Sequence, residues 1–371
     1  MALLSGHVTI LSSADNVADA RMHRLTNSLL RANISVDIWA LGHSNDAPKG
    51  ATFHRAPGGK RKFARVLRDL ILPFKAAGSV VLVVAPDLLP ITYLVTKLRR
   101  QKMIADVHED YAQLLKDRSW AKGLVGFLAK IIAKLATVAA ARADLTTVAD
   151  SQVPPQKAKN RFILKNLPDY SLLTNSGDMA PEPRAIYVGD VRKSRGLQMM
   201  LETAELSPRW HFDIVGNISE SDSEFVANWL KTSSAKDRVV FHGRLAPQES
   251  WKFAQGAWVG LTLLEPTPAF FEAVPSKLYE YAATGLATIS TSLPRCVELL
   301  KQSGGGLTAD SASDVAKILN GWSEDNQQFL KLVKFRESAL SWAKSALNSD
   351  EQYAAFAHAV GKLTFPTTTS R

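Results

Sequence analysis

The chain has 371 residues, 46% of them apolar, with 45 Lys+Arg against 35 Asp+Glu for a net charge of +10, and a single cysteine, Cys296. That length is enough for two domains with cores of their own, and one cysteine excludes an intramolecular disulfide and a cysteine-based zinc site, as fits a reducing cytoplasm. No segment approaches about 18 uninterrupted apolar residues, so no membrane span is expected; the opening Met1-Ala-Leu-Leu-Ser-Gly-His-Val-Thr-Ile lacks a basic n-region and reads as a first strand, not a secretory signal.

In chain order, His7-Val-Thr-Ile-Leu, Val36-Asp-Ile-Trp-Ala-Leu, Val80-Val-Leu-Val-Val and Met103-Ile-Ala-Asp-Val read as strands, with helical patterns between them at Arg21 to Arg31 and Phe63 to Leu72. The alternation predicts a doubly wound parallel sheet. Residues 121–142 place Leu124, Leu128, Ile131, Leu135 and Val138 on one helical stripe, with Lys122, Lys130 and Lys134 largely on another face. The favoured reading is a core-packed helix with an ordinary solvated side. Asp144 to Ala149 and Arg161 to Lys165 supply two more short strands. After a stretch rich in Ser, Asn, Gly and Pro at 171–184 the pattern restarts, with strands at Ala185–Gly189, Trp210–Gly216, Val239–Gly243, Val259–Leu264 and Ala287–Ser290. Several end in glycine at the carboxyl end, where open α/β sheets bind ligands.

The charge is uneven. Residues 1–166 hold 25 Lys+Arg and 12 Asp+Glu, a balance of +13, and the remainder holds 20 and 23, a balance of −3. A basic half implies an anionic partner. The densest run is Arg55 to Lys75, with seven basic residues and one acidic, and it yields a candidate patch of Lys60, Arg61, Lys62, Arg65 and Arg68 for an anionic membrane or acceptor. No nucleic-acid partner is expected, because aromatic residues do not interleave with these clusters as stacking platforms.

The most informative stretch is Glu272-Ala-Val-Pro-Ser-Lys-Leu-Tyr-Glu280, running on into Tyr281-Ala-Ala-Thr-Gly285 and the β-branched run after it. Two glutamates with seven residues between them can accept hydrogen bonds from hydroxyls at both ends of a nucleotide-sugar, while helix-start N–H groups face the phosphates. The composite, with Pro275, Lys277, Tyr281 and Gly285, resembles the E-x7-E donor signature of retaining glycosyltransferases of family 4. Ala105-Asp-Val-His-Glu-Asp-Tyr111 is similar to that family's D-x-H-E segment. Asp19 to Leu30 is similar to its first helix, with a leading Arg21, and Tyr187-Val-Gly-Asp-Val-Arg-Lys-Ser-Arg195-Gly196 to the loop opening its second domain. Two departures stand out. Asp190 follows Gly189 where many members have arginine, leaving Arg192, Lys193 or Arg195 to supply the charge, and Ser12 to Val17 contains no glycine where many have a glycine-rich loop.

The resemblance implies an α/β fold of the GT-B type, two Rossmann-like domains facing across a cleft. The first is expected over residues 1–168 on the acceptor side and the second over 169–349 on the nucleotide-sugar side, with a helix near 350–365 packing back on the first. It implies a metal-independent, retaining hexosyltransferase that needs no cofactor and takes a nucleotide diphosphate sugar as donor and a lipid-linked or envelope glycan as acceptor. The expected location is the cytoplasm, peripheral on the inner face of the membrane. The implied catalytic residues are His108 and Glu272, and the implied donor-binding residues are Arg195, Lys277, Glu280, Gly189 and Gly216. Two other readings stay open: a nucleotide-sugar epimerase on the same fold, and a non-catalytic nucleotide-sugar-binding scaffold. A Rossmann dehydrogenase is disfavoured, since no G-x-G-x-x-G follows the first strand.

Overall fold

The computed structural model describes residues 6–57, 62–116, 123–271 and 274–364. They form two compact units, one of residues 1–166 with 350–371 and one of residues 167–349.

Unit 1 is built on seven strands: β1 (His7–Asn16), β2 (Ser35–Leu41), β3 (Thr52–Arg55), β4 (Val80–Val83), β5 (Lys102–Val107), β6 (Leu145–Val148) and β7 (Arg161–Ile163). They pair in parallel in the order β3-β2-β1-β4-β5-β6-β7. The central β4 is buried at every position, as a strand covered on both faces must be. Its helices are α1 (Ala20–Arg31), α2 (Lys62–Lys75), α3 (Leu89–Leu98), α4 (Tyr111–Lys116) and α5 (Gly123–Ala141). Met22, Leu25 and Leu29 of α1 share a core with Val8, Ile10 and Val36. On the other side of the sheet, Leu72 of α2, Leu89 of α3 and Ala133, Ala136 and Ala140 of α5 pack with Val81, Val83 and Met103. α1 starts where Asp19 caps it, accepting from the N–H groups of Arg21 and Met22.

Unit 2 repeats the plan with β8 (Arg184–Val188), β9 (His211–Val215), β10 (Val239–Gly243), β11 (Val259–Thr262), β12 (Ala287–Ser290) and β13 (Gly306–Thr308), in the order β10-β9-β8-β11-β12-β13. Its helices are α6 (Leu197–Leu206), α7 (Ser223–Thr232), α8 (Pro247–Lys252), α9 (Pro268–Phe271), α10 (Ser276–Thr284), α11 (Pro294–Ser303), α12 (Ala312–Glu324) and α13 (Asn326–Ala346). The chain runs from β8 out to β10 on one side and then returns to β11 on the other. This reversal makes the carboxyl end of β8 the topological switch point, the place where doubly wound sheets take their ligands. α14 (Ser349–Thr364) then re-enters unit 1, placing Tyr353, Phe356 and Val360 in the core that α1 covers.

The structure departs from the sequence reading in four places. β3 and β13 were not anticipated; both are edge strands of three or four residues. β1 runs on to Asn16, so strand occupies the segment where a glycine-rich loop would otherwise stand. The stripe on α5 is not core-packed: Leu124 is 74% exposed and Leu135 50%, while Gly126, Ala133, Ala136 and Ala140 form the buried face. Finally, α5 is long and apolar enough to cross a membrane, with a mean hydropathy of 1.9, contrary to the expectation that no segment qualifies.

Candidate functional site

The unit 2 site begins with α10. Pro275, in extended backbone, precedes the helix, and Gly285 ends it in the left-handed region at φ 78°. Tyr281 anchors α10 from below: its ring is fully buried and its hydroxyl donates to the Leu261 carbonyl at 3.1 Å. Lys277 and Glu280 follow one helical turn apart, both buried, and Ser276 Oγ lies 3.5 Å from a Glu280 carboxylate oxygen. Tyr281 and Gly285 thus fix where α10 holds the candidate side chains Lys277 and Glu280.

The opposite rim consists of the turns after β8, β9 and β10. Gly189, at φ 142°, lets Lys277 lie against the backbone: a Cβ there would stand 2.7 Å from Lys277 Cε and 2.8 Å from its Nζ. Gly216, at φ 151°, allows the next turn to close in, since its Cβ would fall 1.8 Å from the Gly189 carbonyl oxygen. The expected donor residues Arg195, Lys277, Glu280, Gly189 and Gly216 therefore lie in one unit around one sheet end.

Asp190 gives the cluster its order. Its carboxylate accepts from Arg192 Nη2 at 2.9 Å and from Arg244 Nη2 at 3.0 Å, and its carbonyl accepts from the Tyr187 hydroxyl at 2.7 Å. Burial alone would raise the Asp190 pKa, but Arg195, Arg192, Arg244 and Lys277 together hold it below the usual carboxylate value. Four cations thus gather around the carboxylate at position 190. Lys193, the other candidate, is turned onto the Phe225 ring, with its Nζ 4.4 Å from the centroid. Arg195 lies over Phe270 at 5.7 Å, and Lys277 Nζ is 5.1 Å from the Tyr187 ring centre. Burial, reinforced by Arg195, lowers the Lys277 pKa to about 8, while Glu280 and Asp190 act in the opposite direction.

In unit 1, the end of β5 carries the other candidate. Asp106, fully buried, forms a two-pronged ion pair with Arg21, both contacts at 2.6 Å, and accepts from Thr147. Arg21 also donates to Asn166. Burial works against both charges; their proximity outweighs it, holding Asp106 below the ordinary carboxylate value and Arg21 above its own. His108 follows two residues after Asp106, with a buried Nδ1 that has no hydrogen-bond partner among the described residues. Nearby, burial raises Asp15 and, more strongly, the Tyr111 phenol, whose hydroxyl is likewise buried without a partner among those residues.

Glu272 lies outside the described residues, as do Lys60 and Arg61; of Lys62 and Arg65 only the backbone, in α2, is described. Arg68 corrects the expected basic patch: at 4% exposure its charge is held inside unit 1 and is not offered to a surface. Sequence reasoning missed the pairing of Arg244 with Asp190. The residues are 54 apart in sequence and meet only because β8 and β10 flank β9.

Residues 182–325 match the family model described as glycosyl transferases group 1. Among solved structures, sucrose-phosphate synthase from Thermosynechococcus elongatus is similar at 14% identity and a TM-score of 0.70, covering 97% of this chain and 99% of that one. Anabaena HepE in complex with UDP and glucose is similar at 14% identity and 0.69, covering 96% and 99%. WaaG, a glycosyltransferase involved in lipopolysaccharide biosynthesis, is similar at 15% and 0.63, covering 95% and 98%. No curated protein matches the chain in sequence. The chain thus has the two-domain, Rossmann-like GT-B fold.

Proposed function

We propose that this protein is a retaining, metal-independent glycosyltransferase that moves a hexose-type sugar from a nucleotide diphosphate sugar to a lipid-linked or envelope glycan. The observation that carries this reading is the ring of Arg192, Arg195, Arg244 and Lys277 around the turns that follow β8, β9 and β10. Such a ring can offset the charge that develops on a departing diphosphate, with no metal needed for that task. The family match to unit 2 supports it, as do structures of the same fold that hold UDP or UDP-glucose. In this reading Arg195 and Lys277 hold the diphosphate, Glu280 accepts from the ribose hydroxyls, and Glu272 and His108 engage the transferred sugar. The bond from the sugar's anomeric carbon to the phosphate oxygen breaks as a bond to the acceptor oxygen forms on the same face. The acceptor's proton passes to the departing phosphate oxygen, so no side-chain nucleophile takes part.

Calorimetric titration with UDP, UDP-sugars and the matching nucleosides tests the site. Glu280→Ala should weaken nucleotide-sugar binding by about 1–3 kcal/mol, the scale of a lost charged hydrogen bond; unchanged affinity in the folded variant removes the ribose assignment. Arg195→Ala should lower diphosphate affinity and leave nucleoside affinity unchanged, since the contact is electrostatic. Equal preference for diphosphate over nucleoside in variant and wild type would shift that role to Arg192 or Arg244. An epimer formed from nucleotide-sugar alone, with no acceptor present, would replace transfer by epimerisation.

A further inference from the structure

Helices α2, α3 and α5 cover one face of the unit 1 sheet and carry large apolar side chains on their outer sides. On α5 the small residues point inward and the large ones outward: Leu124, Phe127, Leu128, Ile131 and Leu135 are all at least 41% exposed. On α2 the charged residues Arg68 and Asp69 are buried, while Leu67, Leu70 and Phe74 face out. α3, which packs against both, exposes Leu94 and Leu98. Of the 22 large apolar side chains exposed among the described residues, 14 lie on these three helices, so the exposure forms a layer and is not scattered as on an ordinary surface.

We propose that this layer docks unit 1 onto an anionic lipid bilayer, with α5 lying in the interfacial plane. The charge around the layer identifies the occupant. The exposed charges described on the three helices are Lys75, Lys97, Lys130 and Lys134, with no exposed carboxylate among them. On a helical projection Lys130 and Lys134 border one side of the α5 apolar arc, where they would reach lipid phosphates as the arc enters the acyl boundary. A two-fold contact that ran α5 antiparallel to its mate would set this cationic border against itself, whereas lipid phosphates complement it. α5 meets the length and hydropathy requirements of a span, yet Ala133, Ala136 and Ala140 are fixed in the unit 1 core, so the helix lies flat with only its outer arc in lipid. The inference stands or falls independently of the transfer chemistry.

Co-sedimentation of the full chain with phosphatidylcholine vesicles, with and without 30% phosphatidylglycerol, tests it. Wild type should bind the anionic vesicles at least ten-fold more strongly than the neutral ones. The triple variant Leu128→Gln, Ile131→Gln, Leu135→Gln should lose at least ten-fold of that binding while keeping its thermal unfolding midpoint, because all three side chains are already exposed. Lys130→Gln with Lys134→Gln should weaken binding and flatten its salt dependence. Three results would overturn the inference: no binding of wild type to anionic vesicles, equal binding of the triple variant and wild type, or a wild-type dimer in light scattering that the triple variant converts to monomer without any vesicle binding.

Discussion

Arg21→Ala is expected to destabilise unit 1 by about 3–5 kcal/mol, the usual cost of stranding one member of a buried ion pair. The cause is the charge left behind. Asp106 is fully buried, and in the variant only Thr147 would remain of the hydrogen-bonding side chains that now hold its carboxylate. The pH dependence carries the diagnosis. In the native protein the Asp106 pKa is depressed, so its contribution is present above the unfolded carboxylate value and is lost as pH falls through the lower folded value. In the variant, burial without a cation pushes the same group upward, so the deficit against wild type should shrink as pH falls from neutral towards 5. Urea unfolding at several pH values reads this directly. Arg21→Leu combined with Asp106→Leu should recover much of the loss, since two apolar groups leave no charge to desolvate. A deficit that is independent of pH would mean that Arg21 matters for packing rather than for its charge.

Lys277 supports a second large effect, on ligand affinity. Its ammonium is held near pKa about 8 by burial and by Arg195, so at neutral pH it is mostly charged but close to releasing its proton. An anionic diphosphate beside it favours the charged form, and binding above that pH must therefore take up a proton. Affinity for a nucleoside diphosphate should be flat between about pH 7 and 8 and fall by up to ten-fold for each pH unit above that. The terminal phosphate loses its last proton near about pH 6 and does not interfere in this range. Lys277→Met should weaken binding by about 1.5–3 kcal/mol at pH 7 and abolish the alkaline fall. Calorimetry in buffers of different ionisation heat counts the proton. A pH-independent affinity in wild type, or an alkaline fall retained in Lys277→Met, would place the titrating group elsewhere.

The strands legible in the sequence were those with continuous β-branched or aliphatic runs, such as Val80 to Val83, because burial on both faces demands them. β3, Thr52-Phe-His-Arg, and β13, Gly306-Leu-Thr, gave no such signal, since an edge strand is covered on fewer sides and needs little apolar content. α5 shows a different limit. The stripe through Leu124 and Leu135 was visible, but periodicity marks a stripe without saying which way it faces. The alanine face opposite it packs on the sheet because small side chains allow close approach. At the proposed donor site, Lys277, Glu280 and Arg195 could be named from local motifs. The neutralisation of Asp190 by Arg244 could not, because it depends on which strands become neighbours.

The return of α14 to unit 1 bears on how the chain is made. On the ribosome, the strands of unit 1 emerge first, but the surface that receives Tyr353, Phe356 and Val360 waits for the 183 residues of unit 2, from 167 to 349, to be synthesised. At about 5–20 residues per second this interval lasts on the order of 10–40 s. Over that time Val8, Ile10 and Val36 lack part of their final cover, and the earlier-made domain is the one completed last. Nascent unit 1 therefore keeps part of an apolar core uncovered through an interval that unit 2, continuous in sequence, does not have.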